Sequence, residues 1–384
     1  MNFELTEEQN AIQLAARDFA KSILAKNVIE RDENQEFPTN EVKQMAELGF
    51  LGMMVSPEYG GGGMDTVSYV LALKEIAKVD ASAAVIMSVN NSLVCWGIEK
   101  YGNHQQKEKY LTPLAQGNVL GSFALSEPEA GSDATSQRTT AILKNNEYYL
   151  MNGIKNWITN GNTCSTSIVF AQTDAELKHK GINAFIVEKG WEGFEVGKKE
   201  NKMGIRSSDT HSLLFTDVKI PTENRLGENG FGFRLAMEIL NGGRIGIAAQ
   251  ALGIAEGAYE LALQYSKERK AFGKTISEHQ AIQFKLANMA TQIETAKLLC
   301  LKAAYLKDAG KNYVKESAMA KYYASQVAME VSTEAVQIHG GYGFVKEYHV
   351  ERMMRDAKIT QIYEGTSEIQ QMVIAREILR NPHS

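Results

Sequence analysis

The sequence predicts a mainly α-helical protein with a central β domain, and two observations carry that expectation. Apolar residues recur at helical spacing at both ends of the chain. Between about Leu120 and Arg225 the text changes to short β-branched and aromatic runs separated by Asn, Gly, Asp and Lys. The expected organisation is an N-terminal helical domain over 1–119, an antiparallel β domain over 120–225 and a C-terminal four-helix bundle over 226–384. At 384 residues, 44% of them hydrophobic, the chain has ample material for such cores.

In the first domain Thr6 and Gln9 stand at capping-box spacing, and Ile12, Ala15, Ala16, Phe19 and Ile23 repeat at the period of the helix they open. Further helices are expected over 40–48, 66–78 and 104–115. The glycine cluster YGGGGMD at 59–65 lacks the Lys-Ser/Thr and the preceding strand of a phosphate loop, and reads as a flexible connection. In the middle, VLGSFAL, EYYLMNG, STSIVFAQT, INAFIVEK and HSLLFTDVKI read as strands, closed by Pro221 and the LGENGFG turn. Helical text then returns over 231–266, 277–309, 313–338 and 366–380, with Phe284, Ala287, Met289, Ile293, Ala296 and Leu299 as one apolar stripe.

Composition excludes several classes. The net charge of -5 comes from 41 basic and 46 acidic residues mixed along the chain, so no basic stripe is present for nucleic acid. Cys95, Cys164 and Cys300 are far apart and form neither a disulfide framework nor a CxxC motif, which fits a reducing cytoplasm. The start MNFELTEEQN has no secretory pattern, and no run of about 18 uncharged apolar residues occurs, so neither export nor membrane insertion is expected. There is no HExxH, GxSxG or GxGxxG in its proper setting, and no metal site is expected.

Several polar segments could grip a large ligand. FALSEPEAGSDA, at 123–134, offers backbone N–H groups and the hydroxyls of Ser126 and Ser132 around Gly131, or is an ordinary turn. In KNWITNG, at 155–161, Trp157 and Thr159 alternate onto one side of a strand, facing either a flat ring or the core. Arg244 in NGGRIG and Arg269 near Phe272 in ERKAFGK could pair with carboxyl or phosphate groups or with surface acids. QIHGGYG, at 337–343, supplies a C-cap or a backbone open to a cofactor, and its His339 reads as structural. In TQIYEGTSEIQ, at 360–370, Ser367 and Gln370 have capping-box spacing, so a helix is expected to start at Glu368. Glu364 then precedes a helix N-terminus, as a base beside a substrate or as a favourable charge for the dipole.

These segments, together with LTEEQ, KMGIRSS, NGGRIGIAAQALGIAEGA and VERMMRDAKITQIYEGTSEIQ, resemble in order and spacing the acyl-CoA dehydrogenases, and within them the short-chain, butyryl-CoA type. The resemblance covers nearly the whole chain and implies the same three-part fold with FAD between the β domain and the C-terminal bundle. It implies flavin contacts from Phe123, Leu125, Ser126, Gly131, Ser132, Trp157, Ile158 and Thr159, with Thr366 and Glu368 at the helix start. It assigns Arg269, Phe272, Gln280, Gln337, Gly340 and Gly341 to pyrophosphate and adenosine across a subunit interface. Ser132, Asn241, Arg244 and Gly365 would meet the acyl-CoA, although relatives commonly have Asp at Asn241. Isovaleryl- and long-chain types place a glutamate where this chain has Gly243, which leaves Glu364 as the implied base. The implied activity is α,β-dehydrogenation of a short acyl-CoA to the trans-2-enoyl-CoA in fatty-acid β-oxidation. Electrons would leave to an electron-transfer flavoprotein, and the assembly would be a homotetramer. The competing readings are a medium- or branched-chain specificity and a DNA-associated flavoprotein of the same fold that does not dehydrogenate.

Overall fold

The computed structural model describes residues 4–380. Helix α1 (Glu7–Ser22) opens with the expected capping box: Thr6 Oγ1 accepts from Gln9 N and Gln9 Oε1 from Thr6 N, each at 3.1 Å. It buries Ala16, Phe19 and Ala20. A short α2 (Val28–Asn34), not anticipated, precedes α3 (Thr39–Glu47) and α4 (Thr66–Ala77). The glycine cluster before α4 is a tied connection and not a flexible one. Gly62 N donates to Gly52 O, Gly63 N to Val55 O and Met64 N to Met53 O, at 2.8 to 2.9 Å.

The sequence reading passed over the next helix. α5 (Ala81–Ser88), a π-helical turn (Val89–Cys95) and α6 (Trp96–Tyr101) form one rod. It is long and apolar enough to cross a membrane, yet it is buried in the centre of the protein. Being apolar all round, it carries no amphipathic period to detect. Its π turn is held by two buried asparagines. Asn90 donates to Leu51 O (2.9 Å) and Leu114 O (3.2 Å) and accepts from Gly121 N, while Asn91 accepts from Met53 N. α7 (His104–Gln106), a second π turn and α8 (Thr112–Ala115) complete the domain.

The middle is an eight-stranded sheet: β1 (Leu120–Ala124), β2 (Thr140–Lys144), β3 (Tyr148–Thr159), β4 (Cys164–Gln172), β5 (Ile182–Glu188), β6 (Phe194–Lys199), β7 (Thr210–Pro221) and β8 (Arg225–Leu226). The order is β6-β7-β3-β2-β4-β5-β8, with β1 beside β4. It corrects the all-antiparallel expectation, because β1 runs parallel to β4 from Leu120↔Cys164 to Ala124↔Val169. The long loop after β1 removes any hairpin constraint, so β1 need not pair with β2. Alternate residues of β4 and β5 face different cores. Ile168, Phe170, Ile182, Ala184 and Ile186 join the helical core, and Val169, Ala171, Phe185 and Val187 join a second core with Met151 and Leu213. With both faces covered these strands read as continuous apolar runs.

The C-terminal helices are α9 (Gly232–Glu268), α10 (Gln280–Asp308), α11 (Val314–His339) and α13 (Ser367–Arg380), with an unanticipated α12 (His349–Ile359) laid among them. A small hairpin, β9 (Lys270–Ala271) and β10 (Lys274–Thr275), links α9 to α10. α12 ties the domains together: Arg352 pairs with Asp356 at 2.9 Å, and Asp356 accepts from Ile205 N of the β domain. On α10, Met289, Ile293 and Ala296 are buried, but Phe284 and Ala287 face outward. Phe284 lines an open groove of about 580 Å³ between α10 and α11.

Candidate active site

α13 begins one residue earlier than expected and with a different cap. Thr366 Oγ1 accepts from Ile369 N (3.4 Å), whereas the Ser367 hydroxyl donates to Gln361 O. The Gln370 side chain turns back and donates to Gly365 O (2.8 Å) and Glu364 O (3.3 Å). Glu364 and Gly365 both adopt positive φ, 52° and 93°. For a non-glycine residue such a conformation costs on the order of 1 kcal/mol and persists only where neighbours impose it. Here they do, since the buried Lys321 of α11 also donates its Nζ to Gly365 O.

The turn aims the Glu364 carboxylate at α9. A β-carbon at Gly243 would overlap Oε2 of Glu364 and would crowd Leu93 of the π turn. That Oε2 is buried and has no hydrogen-bond partner. Burial pushes the Glu364 carboxyl up to about 7, against the opposing pull of Lys321 and Arg244. Arg244, one residue on from Gly243, is buried as well. Its Nη1 donates to Asn241 Oδ1 and its Nε has no partner. Burial, helped by Arg376, draws the guanidinium down to about 10, while Glu364 and Tyr313 oppose the shift. Glu364, Gly365, Thr366, Asn241 and Arg244 therefore gather around α9 and the head of α13.

A second group sits on the β domain. Asn156 N donates to Ser126 O (2.9 Å) and the wholly buried Lys155 Nζ donates to Leu125 O (3.0 Å), so the loop after β1 is fastened to the end of β3. Lys155 also pairs with Glu127 at 2.7 Å, and Glu127 accepts from the main-chain N–H groups of Arg138 and Thr139. A bulge between Lys155 and Ile158 gives Trp157 a φ of 58° and leaves its indole 56% exposed. The core alternative for Trp157 thus does not hold, and Thr159 beyond it is half-buried. The Ile158 side chain points into the β core, so a cofactor could meet only its main chain. Phe123 is half-buried against Phe170, with ring centroids 5.0 Å apart. Gly131 and Ser132 stand exposed on the open part of the loop.

A third group lies at the far end of α9 and α11. Arg269 reaches over the Tyr342 ring at 5.7 Å, and with Gly340 and Gly341 it lines a cleft of about 500 Å³. Gln337 is exposed on the last turn of α11. His339 is structural: it stacks on Tyr265 at 4.3 Å, and its Nδ1 lies 2.7 Å from Ala335 O. Phe272, 96% exposed at the hairpin tip, and the exposed Gln280 lie outside this cleft. Glu368 is exposed at the head of α13, where its own N–H and the Thr366 hydroxyl hold its carboxyl below the usual range. A roomier cleft of about 820 Å³, lined by Lys109, Glu188 and Trp191, lies elsewhere and contains none of these residues.

The sequence reading missed Lys321, Lys155, Glu127 and Leu93. Lys321 left a detectable signal, a lone charge on the face that also carries Ser317, Ala318, Ala324 and Ser325 of α11. A projecting indole beside a loop fastened to its strand, with an unpaired Glu364 oxygen and an unpaired Arg244 nitrogen, fits a flat heterocycle and a polar substrate.

Comparison with known proteins converges on one family. Residues 6–118, 122–218 and 230–379 match the acyl-CoA dehydrogenase N-terminal, middle and C-terminal domain models. The chain is 49% identical to the short-chain specific acyl-CoA dehydrogenase of Clostridium acetobutylicum, over 99% of this chain and 100% of the relative. It is also 49% identical to the acryloyl-CoA reductase (NADH) of Anaerotignum propionicum, over 99% and 96%. The solved butyryl-CoA dehydrogenase of Megasphaera elsdenii has a TM-score of 0.97 at 50% identity, covering 99% of this chain and 100% of that one. A chain solved in work on the electron transferring flavoprotein of Acidaminococcus fermentans has a TM-score of 0.98 at 51% identity, with coverage of 99% and 100%. With three domain models matched in order and about half of the residues shared along the full length, the chain belongs to the acyl-CoA dehydrogenase family of FAD-dependent oxidoreductases.

Proposed function

We propose that the protein dehydrogenates a short-chain acyl-CoA of the butyryl type between Cα and Cβ, with Glu364 taking the α-proton. The observation that carries this reading is the Glu364 carboxylate, unpaired, held on a positive-φ turn and shifted to about 7 by burial. The α-C–H of a thioester is a weak acid, and a carboxylate at its aqueous pKa is a poor base for it; a base with a pKa near working pH combines ionisation with proton affinity. FAD, when bound, supplies a hydride acceptor at N5. The main-chain N–H of Glu364 is the proposed donor to the thioester oxygen, where negative charge develops as the proton leaves.

Around that centre the residues divide by task. Asn241, Arg244, Gly365 and Ser132 bind the acyl-CoA. Phe123, Leu125, Ser126, Gly131, Trp157, Thr159 and the Ile158 main chain hold the flavin ring, with Ser132, Thr366 and Glu368 at its edge. Arg269, Gln337, Gly340 and Gly341 receive the pyrophosphate and adenosine. Phe272 and Gln280 reach outward to a neighbouring subunit's cofactor, which their exposure supports. The assembly is a homotetramer in this reading, and the outward-facing Phe272, Phe284 and Phe344 supply apolar surface for it. Electrons leave to an electron-transfer flavoprotein, a partner suggested by the context of the Acidaminococcus structure. Three free, buried cysteines suit a reducing cytoplasm as the compartment.

A second reading concerns direction. The relative named acryloyl-CoA reductase is as similar as the dehydrogenases, so the same site could reduce a short enoyl-CoA. Anaerobic bleaching of the bound flavin tests substrate class: butyryl-CoA is expected to reduce it faster than octanoyl- or isovaleryl-CoA. Bleaching by either of those but not by butyryl-CoA defeats the short-chain assignment. Reoxidation of the reduced flavin by acryloyl- and crotonyl-CoA measures the reverse reaction.

A further inference from the structure

We infer that Lys321 is a positioning residue: its ammonium fixes the Glu364–Gly365 backbone and supplies the positive charge that keeps the Glu364 carboxylate ionised. The inference rests on the reading of Glu364 as the base.

Lys321 is wholly buried among Ala318, Ala320, Ala324 and their neighbours on α11. Burying an ammonium in such surroundings is costly unless something compensates, and among the described residues Lys321 makes no ion pair. Its contact is instead the carbonyl oxygen of Gly365, the residue after the base. The same oxygen accepts from Gln370 Nε2 at 2.8 Å, so two buried donors converge on one carbonyl of a turn with successive positive φ angles. A β-carbon at Gly365 would press on Gln370 Nε2, so that amide packs directly against the turn. Lys321 therefore contributes to the conformation that points the carboxylate at Gly243.

Its charge matters separately. The groups facing Glu364 are Lys321 from α11, Arg244 from α9, Tyr69 from α4 and the adjoining Tyr363. Those facing Lys321 are Glu364, Arg244 and Glu368 of α13, while Arg376 of α13 faces Arg244. Of the two cations near the base, Arg244 is hydrogen-bonded to Asn241 in the proposed acyl-CoA site. Lys321 is held by the main chain of the turn, at Gly365 O. Burial draws Lys321 down to about 7 and pushes Glu364 up to about 7, and each charge opposes the shift of the other. Removing the ammonium takes away an interaction that favours the carboxylate, so the Glu364 pKa must rise further.

The test uses FAD-loaded Lys321→Met, which removes charge and donor, and Lys321→Gln, which keeps a donor without the charge. The readout is the pH profile of flavin reduction by butyryl-CoA in an anaerobic rapid-mixing experiment. In both variants the rising acidic limb is expected to move to higher pH, each pH unit of movement giving roughly tenfold slower reduction below the wild-type midpoint, with recovery at high pH. Lys321→Gln carries the test if Lys321→Met fails to fold or to retain FAD. A limb that stays in place, with the rate unchanged or lowered equally at every pH, overturns the charge role. Glu364→Gln separates the two readings. If that variant still reduces flavin, the base assignment fails and this inference falls with it; if it does not, an unmoved limb rejects Lys321 alone.

Discussion

Gly243 and Glu364 exclude any side chain between them: a β-carbon on the glycine would occupy the space of the glutamate's Oε2. One residue lies in the first third of α9 and the other just before α13, so their fit decides which element can carry a carboxylate into the site. With Glu364 on the turn, position 243 has room only for hydrogen.

Gly243→Ala is therefore expected to displace the carboxylate by a fraction of an ångström to an ångström while leaving the fold intact. A shift of about 1 Å in a reacting group can cost on the order of 10²-fold in rate. The check is flavin content, expected to stay at the wild-type level, alongside the rate of anaerobic flavin reduction.

Glu364→Gln should retain FAD and acyl-CoA binding while reduction falls by about 10²- to 10⁴-fold, the usual contribution of a general base. In the wild type the rate should rise with pH through about 7, because only the ionised carboxylate accepts a proton. Near-normal reduction by the variant removes Glu364 from the mechanism.

The same shift carries a stability consequence of opposite sense to that of an ion-paired acid. The Glu364 carboxyl is raised from 4.5 to about 7, so between those values the folded protein holds a proton that the unfolded chain has lost. Its contribution to stability thus falls as pH rises through that window. Glu364→Gln should melt above the wild type at pH 8, and the gap should close as pH falls toward 4.5. Thermal unfolding at a series of pH values measures this directly.

Lys155→Met removes one partner of a buried pair that also holds Leu125 O, and leaves Glu127 charged and half-satisfied. Breaking such a pair from one side costs about 3–5 kcal/mol. A lower Tm and weaker FAD retention are expected together, because the loop bearing Leu125 and Ser126 loses its fastening. Lys155→Met combined with Glu127→Leu should recover part of the Tm.

Trp157→Ala should behave differently. The indole is 56% exposed and outside the β core, so stability of the FAD-free protein should change little, within about 0.5 kcal/mol. The flavin spectrum and FAD affinity should change, and fluorescence titration of the FAD-free protein reads both.

What was legible in the sequence follows from local physics. The alternation of helical and strand periods set out the helical, β, helical order, and the Thr6–Gln9 capping box marked the start of α1. The YEGTSE text marked a carboxylate just ahead of a helix, since turn and capping chemistry operate over a few residues. Even there the cap itself proved to be Thr366, with Gln370 bonded to the turn, because neighbouring hydroxyls and amides compete for the same N–H groups.

Contacts between distant segments were not legible, because no local period encodes them. The parallel pairing of β1 with β4, the burial of the apolar rod at Ala81–Tyr101, and the bulge that turns Trp157 outward all depend on what lies across the fold. The same holds for Gly243 against Glu364 and for Lys321 against Gly365, which join α9, α11 and the head of α13. Neighbouring residues alone account for the residue types on offer and for local features such as the start of α1 and the turn ahead of α13. The tertiary structure decided the burial and the neighbouring charges that turn an ordinary glutamate into one with a pKa near 7, since desolvation and Coulomb interaction depend on distance in space and not on separation along the chain.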